Sequence, residues 1–455
     1  MTSVLWLRRD LRRRDHPALL AARDAADGGD LVVVFVVDPA LWDGGGPVRR
    51  AWLAANLRAL DDALDGNLTL LHGDPRRVLP ALAARVSASS VHVSRETTPS
   101  GARRDEAVSA RLAADGVEWV PTGTPYAVGP GLVTNGSGDP YKVFTPFAQA
   151  WRSHGWPEPA ATPRELPLRH ARNDADATSA LDAALSAPDL PELPEPGEDA
   201  ALRRFRRFRD DHLDDYDDAR NLPAVDGTSR MSPYLKLGVV HPRTLLADLA
   251  DRRGAGVETF RDELAWREFY ADVLHHNPGS AWQDLRPALA RMRYDEPEDG
   301  IEAWKRGETG YPMVDAGMRQ LLAEGWMHNR VRMITASFLT KDLHVWWPVG
   351  ARHFLDHLVD GDLASNNHGW QWVAGTGTDA SPYFRVFNPV TQGEKFDPDG
   401  EYVRRWVPEL RHLAGKAAHQ PWEHDDGYAH GYPRRIVDHA EERREALDRL
   451  DATKR

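Results

Sequence analysis

No cysteine occurs among the 455 residues of the sequence. That absence excludes disulfide scaffolds, thiolate zinc sites, iron–sulfur ligation and cysteine nucleophiles together, and it leaves any redox chemistry to a bound cofactor. No apolar run approaches the roughly 20 residues that cross a bilayer. The opening MTSVLWLRRDLRRRD reads as a strand followed by an Arg-rich turn and not as a signal peptide, so a cytoplasmic protein is expected. Three familiar signatures are also missing. Without GxGxxG after a strand, GxxxxGK(S/T) or HExxH, the usual marks of dinucleotide, nucleoside triphosphate and zinc-protease sites are lacking. Gly44-Gly45-Gly46 is a flexible loop. His353 and His357, four apart beside Asp356 and Asp360, have metal-like spacing, but a polar helix face is the expected reading. What the chain has in excess is tryptophan, with 16 residues of which ten lie between Trp266 and Trp422. The plain explanation is a large aromatic core.

Apolar runs recur at Val4 to Leu7, Leu31 to Val37, Leu68 to Leu71, Val91 to Val93 and Val117 to Val120, separated by stretches of helical spacing such as AWLAANLRAL. Such alternation predicts a parallel α/β sheet of Rossmann-like type. From Trp156 to Asp199 the text turns to Pro, Ala, Asp and Glu, which predicts a long connector. Beyond it, spacing such as Val314, Met318, Leu321/Leu322 and Val331, Ile334/Thr335, Phe338 predicts an all-helical second domain.

Four segments could carry chemistry. In DGTSRMSPYLKLG (226–238), Ser232 before Pro233 predicts a helix start, with Thr228, Ser229 and Arg230 beside its free amides, which suits a phosphate as well as simple capping. In DELAWREFY, Glu263, Trp266, Arg267 and Tyr270 fall at i, i+3, i+4 and i+7 on one face. That stripe suits a planar ligand to be stacked and hydrogen-bonded, or else a surface Glu263–Arg267 pair with partly buried rings. In GWMHNRVRMITASF (325–338), a helix opening near His328 puts Asn329, Arg330 and Met333 together, able to read a base edge and its phosphate, or serving as cap and core. In DGDLASNNHGWQW (360–372), Asp362, Asn366 and Trp370 recur every four residues while Trp372 points elsewhere, so one helix can touch two ligands.

The runs YPMVDAGMRQLLAEGWMHNRVRMITASFLTKDL (311–343) and DGDLASNNHGWQWVAGTGTDASPYFRVFNPVTQGE (360–394), with TSRMS and ELAWREFY, closely resemble the photolyase/cryptochrome family. The opening WLRRDLRRRDHPAL and YKVFTPFAQAW (141–151) are similar to it as well. The resemblance implies an α/β antenna domain at 1–130, a connector at 131–200 and a helical FAD-binding catalytic domain at 201–455. It further implies light-driven repair of cyclobutane pyrimidine dimers in UV-damaged DNA, in which the excited, reduced flavin lends an electron to a flipped-out dimer. The same resemblance marks Tyr216, Thr228, Ser229, Arg230, Met231, Ser232, Arg267, Asp360, Gly361, Asp362 and Asn366 as flavin-binding, Asn366 facing the central nitrogen of the isoalloxazine. It marks Glu263, Trp266, Asn329, Arg330, Met333 and Trp372 as the dimer pocket, with Arg220, Arg267 and Tyr270 beside it. Glu263, Asn329, Met333 and Asn366 are the expected catalytic set. Trp304, Trp347 and Trp370 are implied as an electron relay that reduces the flavin from the surface, with Trp346 adjacent to its middle member.

The antenna stretch TTPSGARRDEA has Ser100 and Gly101 where folate-binding relatives carry an amide and a carboxylate, so a deazaflavin antenna is expected over methenyltetrahydrofolate. Although the net charge is -12, Arg319, Arg330, Arg332 and Lys341 outnumber Glu324 and Asp342 in the pocket segment, which predicts a local basic face for DNA. The alternatives are a signalling cryptochrome, usually with a longer C-terminal extension, and a (6-4) photolyase, which tends to place His in the substrate pocket, whereas Met333 and its NRVRM context resemble the cyclobutane-dimer enzymes. A monomer without membrane attachment or metal is expected.

Overall fold

The computed structural model describes every residue except 287, 288, 290, 379–383 and 454–455; part of the 360–394 motif thus lies outside the described residues. Five parallel strands, β1 (Thr2–Leu7), β2 (Leu31–Val37), β3 (Leu68–His72), β4 (Ala88–Val93) and β5 (Glu118–Pro121), form one sheet in the order β3-β2-β1-β4-β5. In register, Val4 of β1 pairs with Val32 on one side and Val91 on the other. Every residue of β2, LVVVFVV, is buried, as a strand covered on both faces requires. The crossing helices Pro17–Ala26, Pro47–Ala63, Pro75–Val86 and Pro99–Ala114 each open on proline, whose fixed φ and missing N–H cost nothing in a first turn. Because β1 lies between β2 and β4, the winding reverses there, and the carboxyl ends of β1 and β4 flank the crevice where such sheets take ligands.

By contacts the chain divides into two compact units, residues 1–211 with 229–278, and 212–228 with 279–455. The stretch read as a connector, 131–200, carries the helices Phe144–His154 and Ala175–Leu185, and Leu31 N donates to Pro167 O at 2.7 Å. Among its described residues the second unit forms helices and no strand. Its helix Pro312–Glu324 buries Val314, Met318 and Leu321 but exposes Leu322. Gly317 lets that helix approach Asn329–Ser337, since a Cβ there would stand 2.4 Å from Val331 Cγ1. Part of the family-like TGYPMVDA run serves the fold itself. The buried Asp315 carboxylate accepts from Thr309 N (2.7 Å), Thr309 Oγ1 (2.7 Å), Gly310 N (3.0 Å) and the Tyr432 hydroxyl (2.6 Å). No helix among the described residues is long and apolar enough to cross a membrane.

Candidate functional site

In the first unit, the turn 229–231 leads into the helix Ser232–Leu237. The helix includes Ser232 and takes Met231 as its cap residue, one position earlier than the sequence suggests. The backbone gives the reason. Arg230 adopts a left-handed φ of 48°, and Ser229 Oγ then accepts the Met231 N–H at 3.3 Å. Arg204 Nε donates to Ser229 O at 2.9 Å, and Trp52 Nε1 to Pro233 O at 3.2 Å, so the turn is fixed from outside the motif. In the second unit, Tyr216 is buried with the Arg220 guanidinium 5.9 Å from its ring, and Thr228 ends the same segment.

The helix Ala255–His276 carries the stripe Glu263, Trp266, Arg267 and Tyr270, all half-buried. Trp266 stacks on Phe144, ring centroids 3.7 Å apart and planes at 7°, with Tyr270 at 5.3 Å. Arg267 donates to Pro125 O and Leu235 O at 3.1 Å each and lies 4.5 Å over Tyr126. Sequence reasoning missed both Phe144 and Glu268. The buried Glu268 carboxylate accepts from Ala127 N (2.5 Å), Val128 N (3.1 Å), Gly129 N (3.3 Å) and Trp151 Nε1 (2.9 Å). It thereby ties this helix to Phe144–His154, on which Phe144 stands. Burial pushes its carboxyl above the ordinary range while the four donors pull the other way. An acid between Arg267 and Phe269, facing away from Glu263, was the available signal.

The helix Asn329–Ser337 is capped by His328, whose Nδ1 accepts from Arg330 N at 3.2 Å. Asn329 is therefore not the cap, and its side chain is exposed. Arg330 donates to Asn221 Oδ1 at 2.6 Å and lies 4.3 Å over Phe396, while Met333 packs half-buried on the core. The local charge count needs correction. Arg319 donates to Glu409 at 2.8 and 3.0 Å, Arg332 forks onto Asp360 at 2.9 and 3.2 Å, and Lys341 is buried, donating to Ala374 O. With Arg330 on Asn221, all four cations counted toward a basic face are thus engaged inside the unit, because the segment packs against carboxylates, an amide and a helix end distant in sequence.

Asp362 caps the helix Leu363–Ala374 by accepting from Ser365 N at 3.0 Å, and Gly361 N donates to Leu358 O at 3.3 Å. Asn366 Nδ2 donates to Ala351 O (3.0 Å) and Asn367 Oδ1 (2.8 Å). Trp370 is buried, edge-on to Phe354 at 4.9 Å and to Trp304 at 6.0 Å. Half-buried Trp372 has Arg385 5.0 Å over its ring, so the two indoles meet different surroundings, as expected. Trp304 and Trp347 are both 0% exposed, and Trp304 Nε1 donates to Thr335 O at 3.0 Å. The surface member of an indole chain is therefore neither of them; Trp346, 6.4 Å from Trp347, is 39% exposed.

At the sheet's reversal, Trp6 lies between Arg8 and Arg104, 4.6 and 4.7 Å from its ring. Glu96 accepts from Thr97 N (2.8 Å) and Thr98 N (2.9 Å). Burial would raise its pKa, but Arg9, Arg8, the Thr98 N–H and Arg104 together hold it below the ordinary value. A Cβ on Gly101 would stand 2.2 Å from Glu96 Cγ, so this carboxylate fills the space a side chain at 101 would need. The His353 and His357 rings lie 4.3 Å apart with their planes tilted by 40°, and among the described residues no group of three or more His, Asp or Glu could hold a metal.

Residues 3–165 match the family described as DNA photolyase, and residues 260–452 match the FAD binding domain of DNA photolyase. The sequence is 42% identical to the deoxyribodipyrimidine photo-lyase of Streptomyces griseus, over 97% of each chain. The fold is similar to a bacterial class III photolyase from Agrobacterium tumefaciens, with a TM-score of 0.90 and 37% identity over 100% of this chain and 98% of that one. It is also similar to a Synechocystis cryptochrome, with a TM-score of 0.87 and 27% identity over 98% of each.

Proposed function

This chain belongs to the DNA photolyase family, and from that premise we propose that it is a light-dependent lyase that splits cyclobutane pyrimidine dimers in UV-damaged DNA. Its helical region is an FAD-binding domain by family, and the residues present fit that cofactor. Asn366 gives both amide hydrogens to protein acceptors, so it meets a ligand with its side-chain oxygen, neutral and able to accept from the N–H of a reduced isoalloxazine. Ser229, Arg230, Met231 and Ser232 supply hydroxyls, a cation and first-turn amides suited to a diphosphate, joined by Tyr216 and Thr228. Asp360 has its charge balanced by Arg332, and Gly361 and Asp362 complete the set. Bound FAD would supply the electron chemistry, the light-driven loan of one electron from its reduced form.

The rest falls to side chains. Trp266, backed by Phe144, and Trp372, beneath Arg385, are rigid aromatic planes suited to stacking on a flipped-out dimer. Glu263 and Asn329 bond its polar edges, and Met333 presents an apolar contact. Arg330, Arg220 and Tyr270 serve the DNA side, while Arg267 acts by holding the 125–126 turn. Trp370, Trp304 and Trp347 are the indoles proposed for the relay; all three are buried, so the relay needs a further, exposed member at the surface. The deazaflavin-type antenna is favoured over folate because Ser100 and Gly101 stand where folate-binding relatives carry an amide and a carboxylate. The protein is proposed to act as a cytoplasmic monomer.

The observation that carries the reading is one helix, Leu363–Ala374, that holds an amide with both hydrogens committed, one indole in the core and a second partly exposed. A light-sensing cryptochrome is the second reading, supported by the Synechocystis similarity. The test offers the reduced protein under blue light an oligonucleotide carrying a cyclobutane dimer and another carrying a (6-4) product. Restoration of the first alone is expected. Restoration of neither favours the cryptochrome reading, and restoration of the second overturns the assigned substrate.

A further inference from the structure

One carboxylate joins the two consecutive indoles of HVWWPVG. Asp284 Oδ1 accepts from Trp347 Nε1 at 2.7 Å and from Trp346 Nε1 at 3.3 Å. Indole N–H is a donor only and in the resting protein gives nothing up. Once an electron has left the ring, the same N–H becomes a strong acid, and a carboxylate already bonded to it is the group placed to take the proton. The buried Trp347 leads inward. It opens the helix Trp347–His357, whose Gly350, one turn on, lies directly under Trp370: a Cβ there would stand 2.1 Å from Trp370 Cη2. Trp346 leads outward, with Tyr294 6.5 Å from it. Burial and the charge of Asp284 push the Tyr294 phenol well above its usual range, so it stays protonated and does not compete as a base.

Asp284 is also held by the helix that carries Trp370. Gln371 Nε2 donates to Ser280 O at 2.8 Å, Leu285 N donates to Gln371 Oε1 at 2.8 Å, and Asn367 Nδ2 donates to Ala281 O. The segment bearing the carboxylate is therefore fixed at both ends to the element bearing the inner indole.

We propose that Trp346 is the solvent-facing end of the indole chain and that Asp284 is the proton acceptor for the oxidised Trp346–Trp347 pair. This rests on the flavin reading above. Light moves one electron from Trp370 to the bound flavin, and Trp347 and then Trp346 refill the vacancy in turn. The oxidised indole passes its N–H proton to Asp284, leaving a neutral radical that cannot readily take the electron back from the flavin. A small thiol in solution then gives one electron to the exposed Trp346 while Asp284 returns the proton, and the indole is restored.

Flash photolysis of the flavin-loaded protein with oxidised flavin distinguishes the outcomes, since protonated and neutral indole radicals absorb differently. In the parent, conversion to the neutral form is expected and slows in D2O. Asp284→Asn can still accept both hydrogen bonds but not the proton, and conversion should slow by about 100-fold, the low end of what a positioned base supplies. Asp284→Glu should recover it in part, which separates loss of the base from misfolding. Trp346→Phe should abolish the thiol dependence of the final, stable flavin reduction. Conversion at the parental rate in Asp284→Asn overturns the assignment of Asp284, and unchanged thiol dependence in Trp346→Phe overturns that of Trp346. Trp370→Phe separates the two levels: if it photoreduces as fast as the parent, the relay reading itself fails, whereas a blocked Trp370→Phe with an unaffected Asp284→Asn refutes only the inference about Asp284.

Discussion

Asn366 illustrates how much one amide can fix. Its nitrogen is committed to Ala351 O and Asn367 Oδ1, so an aspartate at this position loses two donors and sets a carboxylate against a carbonyl. Asn366→Asp should therefore destabilise the protein by ~1–3 kcal/mol, read as a lower urea midpoint, quite apart from any effect on a bound flavin. That Asn366 shares a helix face with Asp362 and Trp370 was legible from their spacing. Which atom it offers was not, because Ala351 lies fifteen residues away and nothing local announces it. The charges show the same limit. Arg319, Arg332 and Lys341 read as surface cations in sequence, yet their partners are Glu409, Asp360 and the Ala374 carbonyl. The indoles show it too: the sequence counts them, but only burial separates Trp304, enclosed, from Trp346, at the surface.

At the scale of elements, the apolar runs located all five strands but missed their ends by up to three residues: β2 is apolar throughout and was read whole, whereas β4 begins at Ala88, ahead of Val91, because Ser89 and Ser90 interrupt its apolar pattern. Helix starts were less legible. Ser232 has the chemistry of a cap, but the left-handed Arg230 moves the cap to Met231. The stretch FLTKD continues the preceding helical pattern, and its widening to a π-turn at Phe338–Asp342 cannot be read from spacing. It coincides with the place where Lys341 reaches the end of the helix Leu363–Ala374. Close helix packing likewise hides in single glycines. A methyl group at Gly350 would lie 2.1 Å from Trp370 Cη2 and 2.6 Å from Leu339 Cδ2. Gly350→Ala should cost ~1–3 kcal/mol as an overpacked core and slow flavin photoreduction by displacing Trp370. Thermal unfolding and photoreduction rate, measured on one preparation, check both halves.

At the scale of the whole molecule, the buried histidines of the α/β unit make it acid-labile. His16 caps the helix Pro17–Ala26, its Nδ1 accepting from Leu19 N at 3.1 Å, and His241 Nε2 donates to Thr124 O at 2.9 Å. Burial, the largest influence on each ring, lowers both pKa values to about 4. In the unfolded chain they titrate near 6.5, so on acidification the unfolded state takes up protons first. Their contribution is complete above pH 6.5 and is lost as pH falls toward 4, amounting to ~3 kcal/mol per ring at most. His16→Asn, which keeps a capping side chain, should flatten the dependence of the urea midpoint on pH between 6.5 and 4. Taken together, the flavin-binding unit and its aromatic planes are proposed to convert light into the repair of cyclobutane dimers. The most direct measurement illuminates the reduced, FAD-loaded protein with blue light together with a dimer-bearing oligothymidine and follows thymine absorbance against a dark control. Thymine should be restored in the light and not in the dark; equal absorbance in light and dark would rule out photorepair.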